Sequence, residues 1–592
     1  MAEKRGRFLG SASLKKWAKG ISDGSYRTML DDWKWIFSYS GHFKILIIIY
    51  TILGLSSSTL GLVSAVAGKF LVDVIIGHKS DQLWLAALVM IVSAIISLTF
   101  SNLNMWISEK LRVEMTNAIR ADAFDCIMES GWQSLNRFAG GDILNRFHSD
   151  VEAVASNAVS WLPDLIISIY TFIATFAVIW HYSPVMSLIA LSSAPFLLLS
   201  GRYLLRKQKQ YRKKMMEASS GLYAFESESL HNIDTVKSFG IMNIFQIQLR
   251  EIQEEYKRIT MAWNMFRIKT NVFMALISLV VEFLAYGYAL FLMWGGRITY
   301  GTMTLFLQQR SSLSGAFHGV VGVLPSFVSG SVSAHRVREL MSLPKEGKAE
   351  EIPEGFGDGS LRAVFEKVSF SYENSSNPVL IDSDFEALPG QITAFVGPSG
   401  EGKTTALRLL LAMIEPDKGE CYYAAPDGRK RKADVKTRSL ISYVPQGNTL
   451  LSGSIARNLQ LAKPDATDEE MRAALEAACA WEFVSEMPGG LYSDIYEGGK
   501  GLSEGQAQRV SIARAILRGA PVLLMDEATS ALDVETERRL LRSILKKSDK
   551  QTIIITTHRP TVLSMCDRVY RVVDGKITRL GEEEIETIVR CF

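Results

Sequence analysis

Cysteine is scarce in this chain. There are five in 592 residues, Cys126, Cys421, Cys479, Cys566 and Cys591, and none has metal-ligand spacing, so neither a zinc framework nor a disulfide scaffold is expected. Charge is scarce too. Asp, Glu, Lys and Arg make up 21% of residues and the formal net charge is +3, which gives no reason to expect a nucleic-acid partner. The basic N-terminus lacks the short apolar core and small-residue cleavage site of a signal peptide.

What the chain has instead is apolar length, concentrated between residues 40 and 330. Runs of eighteen or more apolar residues read as membrane-spanning helices. Six are expected, at about 44–68, 83–107, 158–180, 183–205, 272–294 and 302–328, the second, third and sixth interrupted by polar residues. Basic residues gather in residues 1–20 and in the long stretches after the second and fourth spans, including Lys110, Arg112, Arg120, Lys213 and Lys214. The short connections hold only Lys79 and Arg297. The positive-inside rule therefore puts the N-terminus, both long loops and all five cysteines in the cytoplasm, with the cell membrane as location.

The chain divides into a cytoplasmic segment and interfacial helix (1–40), a membrane domain (41–341), a Gly/Pro/Glu-rich linker (342–360) and a soluble α/β domain (361–592). Tryptophans in "LDDWKWIFSYS" are expected at headgroup level. Two long charged segments extend the spans, each interrupted, at 134–142 and 229–240. Such a break either docks on another domain or is a solvated turn.

"QITAFVGPSGEGKTTALRLLLAMI" is a strand, a Gly-rich turn and a helix, and Gly397 to Thr404 fits the G-x-x-x-x-G-K-[ST] phosphate loop. Backbone amides there favour an anion; Lys403 should reach the β- and γ-phosphates of ATP, and Thr404 should hold Mg²⁺. "PVLLMDEATSALD" reads as a buried parallel strand that carries Asp526 and Glu527 to its C-terminal edge. Asp526 is expected on Mg²⁺, and Glu527 as the group that orients or deprotonates water. "TIIITTHRP" ends a further strand in His558, a candidate γ-phosphate sensor. Ser503 and Gln506 fit a helix capping box.

Taken together these stretches resemble the ATP-binding cassette (ABC) family over almost the whole chain. "GPSGEGKTT" is similar to its Walker A motif, "LSEGQ" to its signature, "VLLMDE" to Walker B, "SALD" to the D-loop, Gln446 to the Q-loop, His558 to the switch histidine and Tyr372 to the adenine-stacking aromatic. The resemblance implies a membrane α-helical domain of six transmembrane helices with long cytoplasmic extensions, followed by an α/β P-loop ATPase domain. It implies a nucleotide set of Tyr372, Gly397, Ser399, Gly400, Gly402, Lys403, Thr404, Thr405 and Asp533, with Gln446 a further metal ligand. In that family two cassettes bind head to tail, so Ser503, Gly505 and Gln506 would serve the ATP of a second subunit, a copy of this chain or a homologous half. One departure is Glu504, where the family usually has glycine; an acid there suits the first turn of a helix.

The membrane part resembles half-size exporters, and 134–142 and 229–240 then become coupling helices, with Glu497 and Gly498 facing them. Within the spans, Glu282 and Arg310 are too costly to face lipid. Either they form an ion pair, or with Gln308, Gln309 and His318 they line a wet cavity for an amphipathic substrate. Absence of an extra N-terminal domain argues against the leader-peptide-cleaving type. An ATP-driven exporter of a peptide or amphipathic small molecule is the expected function, with a lipid or multidrug exporter, or an importer on the same fold, as alternatives.

Overall fold

An apolar run in a bilayer has no water for its backbone, so it closes its hydrogen bonds within a helix. The computed structural model describes residues 25–591, apart from 78–79, 139, 192–206, 208–209, 212–213, 216–217, 220, 224, 231, 348–355, 357–359, 373–376, 448, 497–498, 500 and 548–549. The chain forms two units, Met1–Phe124 with Gly140–Met341, and Asp125–Ala139 with Ser342–Phe592.

In the first unit the main helices are α1 (Ser25–Ser40), α2 (Lys44–Ile76), α3 (Ser80–Glu129), α4 (Val151–Tyr182), α5 (Met242–Trp294) and α6 (Tyr300–Met341). By length and composition four described helical stretches can cross a membrane: Thr28–Ile76, Leu83–Glu129, Gly140–Tyr182 and Met242–Trp294. The expected fourth span starts in the helix Pro184–Leu191 and then leaves the described residues. The expected sixth lies inside α6, which carries Gln308, Gln309, Arg310 and His318 and is not among the four.

Small residues let these helices approach closely. A Cβ on Gly54 of α2 would lie 2.2 Å from Ile167 Cδ1 of α4, and one on Gly319 of α6 would lie 2.4 Å from Ser168 Oγ. Asp73, near the end of α2, accepts from the Gly301 N–H at 2.9 Å and from Thr299 Oγ1 at 2.8 Å, fixing the start of α6. Trp33 departs from expectation. It is 2% exposed, stacks on Phe327 at 4.7 Å and donates to the Phe327 carbonyl at 3.1 Å. It is a core residue between α1, α4 and α6 rather than a headgroup anchor, because its partners Trp161 and Phe327 lie far away in sequence.

Both expected breaks are present. α3 ends at Glu129 and short helices Trp132–Leu135 and Gly140–Asn145 follow; the helix Ile233–Ser238 precedes α5.

In the second unit the six-stranded sheet has the order β12-β11-β3-β10-β9-β6, namely Lys576–Arg579, Arg568–Val573, Ile392–Val396, Thr552–Thr556, Val522–Asp526 and Ile441–Val444. All pairs are parallel except β11 with β12. Every residue of β3, β9 and β10 is buried, as strands covered on both faces require. Alternation then sorts their side chains. Ile392, Ala394 and Val396 pack with Val510 and Ile512 of α8 (Glu504–Arg518), whereas Phe395 packs with Ala406, Leu407 and Leu410 of α7 (Lys403–Leu410). Each such side chain contributes roughly 1.5–3 kcal/mol on burial. A second sheet, β2-β1-β4-β5 (Leu380–Ala387, Arg362–Phe370, Lys418–Ala424, Lys430–Lys432), is antiparallel.

The linker is tied at its start. Lys345 bridges Ser130, and the Glu346 N–H donates to the Glu129 carbonyl at 2.7 Å. The Glu346 carboxylate takes the Trp132 N–H at 3.1 Å and also binds Arg438. Phe356 is buried in the core under the antiparallel sheet.

Candidate functional site: a phosphate loop beside two carboxylates

Parallel strands deliver their C-terminal ends to one edge, where ligands of open α/β sheets bind. Here Thr556 of β10 registers with Phe395 of β3 on one side and Asp526 of β9 on the other. From β3 the chain turns through Gly397, Gly400 and Gly402 at φ +148°, +89° and +103°. A Cβ on Gly397 would lie 2.2 Å from the Val572 carbonyl oxygen, and one on Gly402 2.8 Å from Val379 Cγ1. No side chain fits at either position. Ser399 is exposed on the turn, and α7 starts at Lys403 with its first amides facing the loop. Lys403 is 7% exposed, and its Nζ donates to the carbonyls of Gly397 at 2.7 Å and Pro398 at 2.9 Å.

Asp526 is 2% exposed and accepts from Thr556 Oγ1 at 2.7 Å and Thr404 Oγ1 at 3.3 Å. Glu527 stands at φ +47°, a left-handed conformation rare for a side chain of its size. Its N–H donates to Thr556 Oγ1 at 2.8 Å, and its Oε2 accepts from Gln446 Nε2 at 2.9 Å. Thr556 is thus bonded to both acids. The cluster offers a hydroxyl, carboxylates and an amide oxygen, the hard donors that suit Mg²⁺. His558 is exposed in the loop after β10.

The stretch "LSEGQ" opens α8. Ser503 caps it, accepting from the Gln506 N–H at 3.3 Å while its own N–H donates to Gln506 Oε1 at 2.8 Å. Glu504 is in the first turn. A Cβ on Gly505 would lie 2.8 Å from the Ala531 carbonyl oxygen, so the segment after β9 needs glycine there. That segment is held from two sides. Gln508 bonds Ser530 Oγ at 3.2 Å and the Ala531 N–H at 3.1 Å; Arg559 bonds the carbonyls of Leu532, at 2.6 Å, and Ser530. Asp533 accepts from the Thr536 N–H at 2.9 Å at the start of α9 (Val534–Lys547), and this bond holds its carboxyl below the usual range.

Tyr372 stands beside the loop. Its hydroxyl lies 3.2 Å from Thr405 Oγ1 and accepts from Arg408 Nη1 at 3.1 Å, and the Arg408 guanidinium lies 4.6 Å over the Trp132 ring. Thr556, Gln508, Arg559, Arg408 and Trp132 escaped the sequence reading. Thr556 and Arg559 share the run "TTHRP" with His558 and could have been taken with it; the other three carry no local signal.

Comparison with known proteins gives the family. Residues 46–317 match the ABC transporter transmembrane region and residues 380–530 the ABC transporter family. The ATP-dependent lipid A-core flippase of Methylobacillus flagellatus is 30% identical over 475 residues, covering 79% of each chain. The chain belongs to the ABC transporter family. A Dictyostelium discoideum relative, serine protease/ABC transporter B family protein tagA, is 31% identical over 488 residues; the match takes in 79% of this chain but only 26% of that much longer protein. A solved structure, a bacterial Atm1-family ABC exporter with ATP bound, shares the fold at TM-score 0.76 and 21% identity, covering 91% and 95% of the two chains. The chain is an ABC transporter with an ATP-hydrolysing domain fused to its membrane domain.

In this transporter's membrane unit, Arg310 Nη2 lies 3.2 Å from Glu282 Oε2, so the ion pair forms. Gln308 and His318 are exposed, the His318 Nδ1 lying 2.8 Å from the Ser314 carbonyl. Gln309, by contrast, is buried, at 3% exposed. The structure therefore gathers Glu282 with Arg310 but does not close a ring with Gln309. Glu497 and Gly498 lie outside the described residues.

Proposed function

We propose that this chain works as a dimer, a homodimer in the simplest case, and uses ATP to move an amphipathic small molecule or peptide out of the cytoplasm by alternating access. The contact between Gln446 and Glu527 carries this reading: Glu527, a carboxylate able to act on water, follows the Asp526 that accepts from Thr404 at the end of the phosphate loop. Thr404, Asp526 and Gln446 would hold Mg²⁺, which on binding offsets phosphate charge. Glu527 orients and deprotonates the attacking water, and His558 senses the γ-phosphate. Tyr372 stacks the adenine; the amides from Gly397 to Thr405, with Lys403, hold the phosphates. Ser503, Gly505, Gln506 and Asp533 complete the nucleotide site of the second copy. The cassette and residues 1–40 lie in the cytoplasm, and the breaks near 134–142 and 229–240 transmit closure.

A lipid or multidrug exporter is the second reading, favoured by the flippase named among the relatives. The test is hydrolysis by the chain purified alone in lipid, beside Glu527→Gln. Activity lost in the variant supports a self-sufficient dimer; a silent wild type that still binds ATP overturns it.

A further inference from the structure

Two ion pairs lie along the membrane-domain helices. Lys69 lies 3.6 Å from Asp73 and Arg310 3.2 Å from Glu282. Asp164 is different. It stands about 9 Å beyond residue 158, the start of the expected third span, at 1.5 Å per residue, is exposed, and makes no ion pair among the described residues. The Tyr50 hydroxyl of α2 donates to its Oδ1 at 2.9 Å.

The faces of α4 show what this carboxylate is exposed to. Leu162, Ile166, Ile169 and Ile173 recur every three or four residues and are all exposed, which makes one apolar face. Asp164 lies roughly 140–200° round the helix from each of them, at 3.6 residues per turn. Its own side carries Ser168 and Thr171, one and two turns on. That side meets polar and small residues: Thr171 Oγ1 donates to Ser58 Oγ of α2 at 3.1 Å, and Gly319 of α6 packs against Ser168. An acid without a basic partner, off the apolar face of a span, belongs on a polar path, where charged groups in membrane segments mark passage. The accessible member of the Glu282–Arg310 pair is also the acid, its side chain 57% exposed against 15% for the arginine.

We infer that Asp164, held by Tyr50, binds the positively charged group of the cargo, so that the transported class is cationic amphiphiles. A carboxylate without a basic partner attracts a cation and repels a phosphate-bearing lipid. The inference deepens the export reading and rests on it.

The test uses the full chain in phosphatidylcholine nanodiscs and equilibrium dialysis with tetraphenylphosphonium, subtracting empty discs. Asp164→Asn should weaken binding about tenfold or more, the scale of a lost charge pair, while Asp164→Glu should stay within about threefold. Three results would overturn the assignment: no binding by the wild type above empty discs, Asp164→Asn binding like the wild type, or Asp164→Glu losing as much as Asp164→Asn. ATP-driven accumulation of tetraphenylphosphonium in inside-out vesicles, compared with Glu527→Gln, tests export separately. Binding that depends on Asp164 without such accumulation sinks the export reading and leaves the site standing.

Discussion

Gln446 and Glu527 are 81 residues apart, and the amide of one donates to the carboxylate of the other at 2.9 Å. Their strands, β6 and β9, are neighbours in the sheet, so the contact follows from parallel register. Glu527→Gln keeps an oxygen that can accept this bond but replaces the carboxylate with an amide. Hydrolysis should fall by about 10²–10⁴-fold with ATP binding retained. Gln446→Ala should also slow turnover while leaving the carboxylate in place. Single-turnover measurements with radiolabelled ATP decide both.

Thr556 holds the two acids in register, donating to Asp526 and accepting from the Glu527 N–H. Valine has nearly the same shape and can do neither. Because Asp526 is buried, Thr556→Val should cost about 1–3 kcal/mol, read as a lower melting temperature of the full chain, and should slow hydrolysis with it. A variant as stable and as active as the wild type would show that the acids need no such bridge.

The phosphate loop was legible because its information is local: three glycines with positive φ and a lysine opening a helix sit within one short run. The Glu282–Arg310 pair was legible as one of two alternatives, since helical rise alone places both side chains at similar depth. What the sequence hides is long-range. Gln508 and Arg559 reach the same loop after β9 from different elements, and no spacing rule connects them. Trp33 was misjudged for the same reason. Amphipathic pattern and tryptophan content fit an interfacial helix, but the rings that bury it come from α4 and α6.

Gly505 is constrained by its own subunit, whatever it does for another. With the Ala531 carbonyl 2.8 Å from where a Cβ would stand, Gly505→Ala must push that carbonyl or α8 aside. Hydrolysis should drop at least tenfold, roughly 1.4 kcal/mol or more in the barrier, while ATP affinity at the phosphate loop changes little. Nucleotide binding measured beside turnover separates the two effects. Equal losses in both would place the damage in the fold instead.

Two thiols are shielded by packing. Burial pushes the Cys566 thiol up to about 12, and its Sγ–H donates to the Val562 carbonyl at 3.1 Å; Cys421 is raised further by complete burial. A thiol whose pKa is raised by folding contributes its full share of stability below its unfolded value. For Cys566 that share is lost as pH climbs from about 9 toward 12. At pH 8 the reactive thiolate is therefore negligible. Neither residue should take up maleimide in the native chain, and both should do so after denaturation, as mass mapping would show.

Arg408 joins three groups: Trp132 beneath its guanidinium at 4.6 Å, the Tyr372 hydroxyl at 3.1 Å, and through that hydroxyl Thr405 of the helix behind the phosphate loop. If Tyr372 stacks the adenine, its ring position is set in part by Trp132, acting through Arg408. A cation–π contact contributes about 0.5–2 kcal/mol, so Trp132→Ala should weaken ATP binding by roughly twofold to thirtyfold. Arg408→Ala, which removes the hydrogen bond as well, should weaken it more, and Trp132→Phe, which keeps a ring, should weaken it less. Titration of the full chain with a fluorescent ATP analogue orders the three. If the order is lost, with Trp132→Ala binding like the wild type, Arg408 holds Tyr372 without help from the tryptophan, and the segment 125–139 has no hand in placing the base.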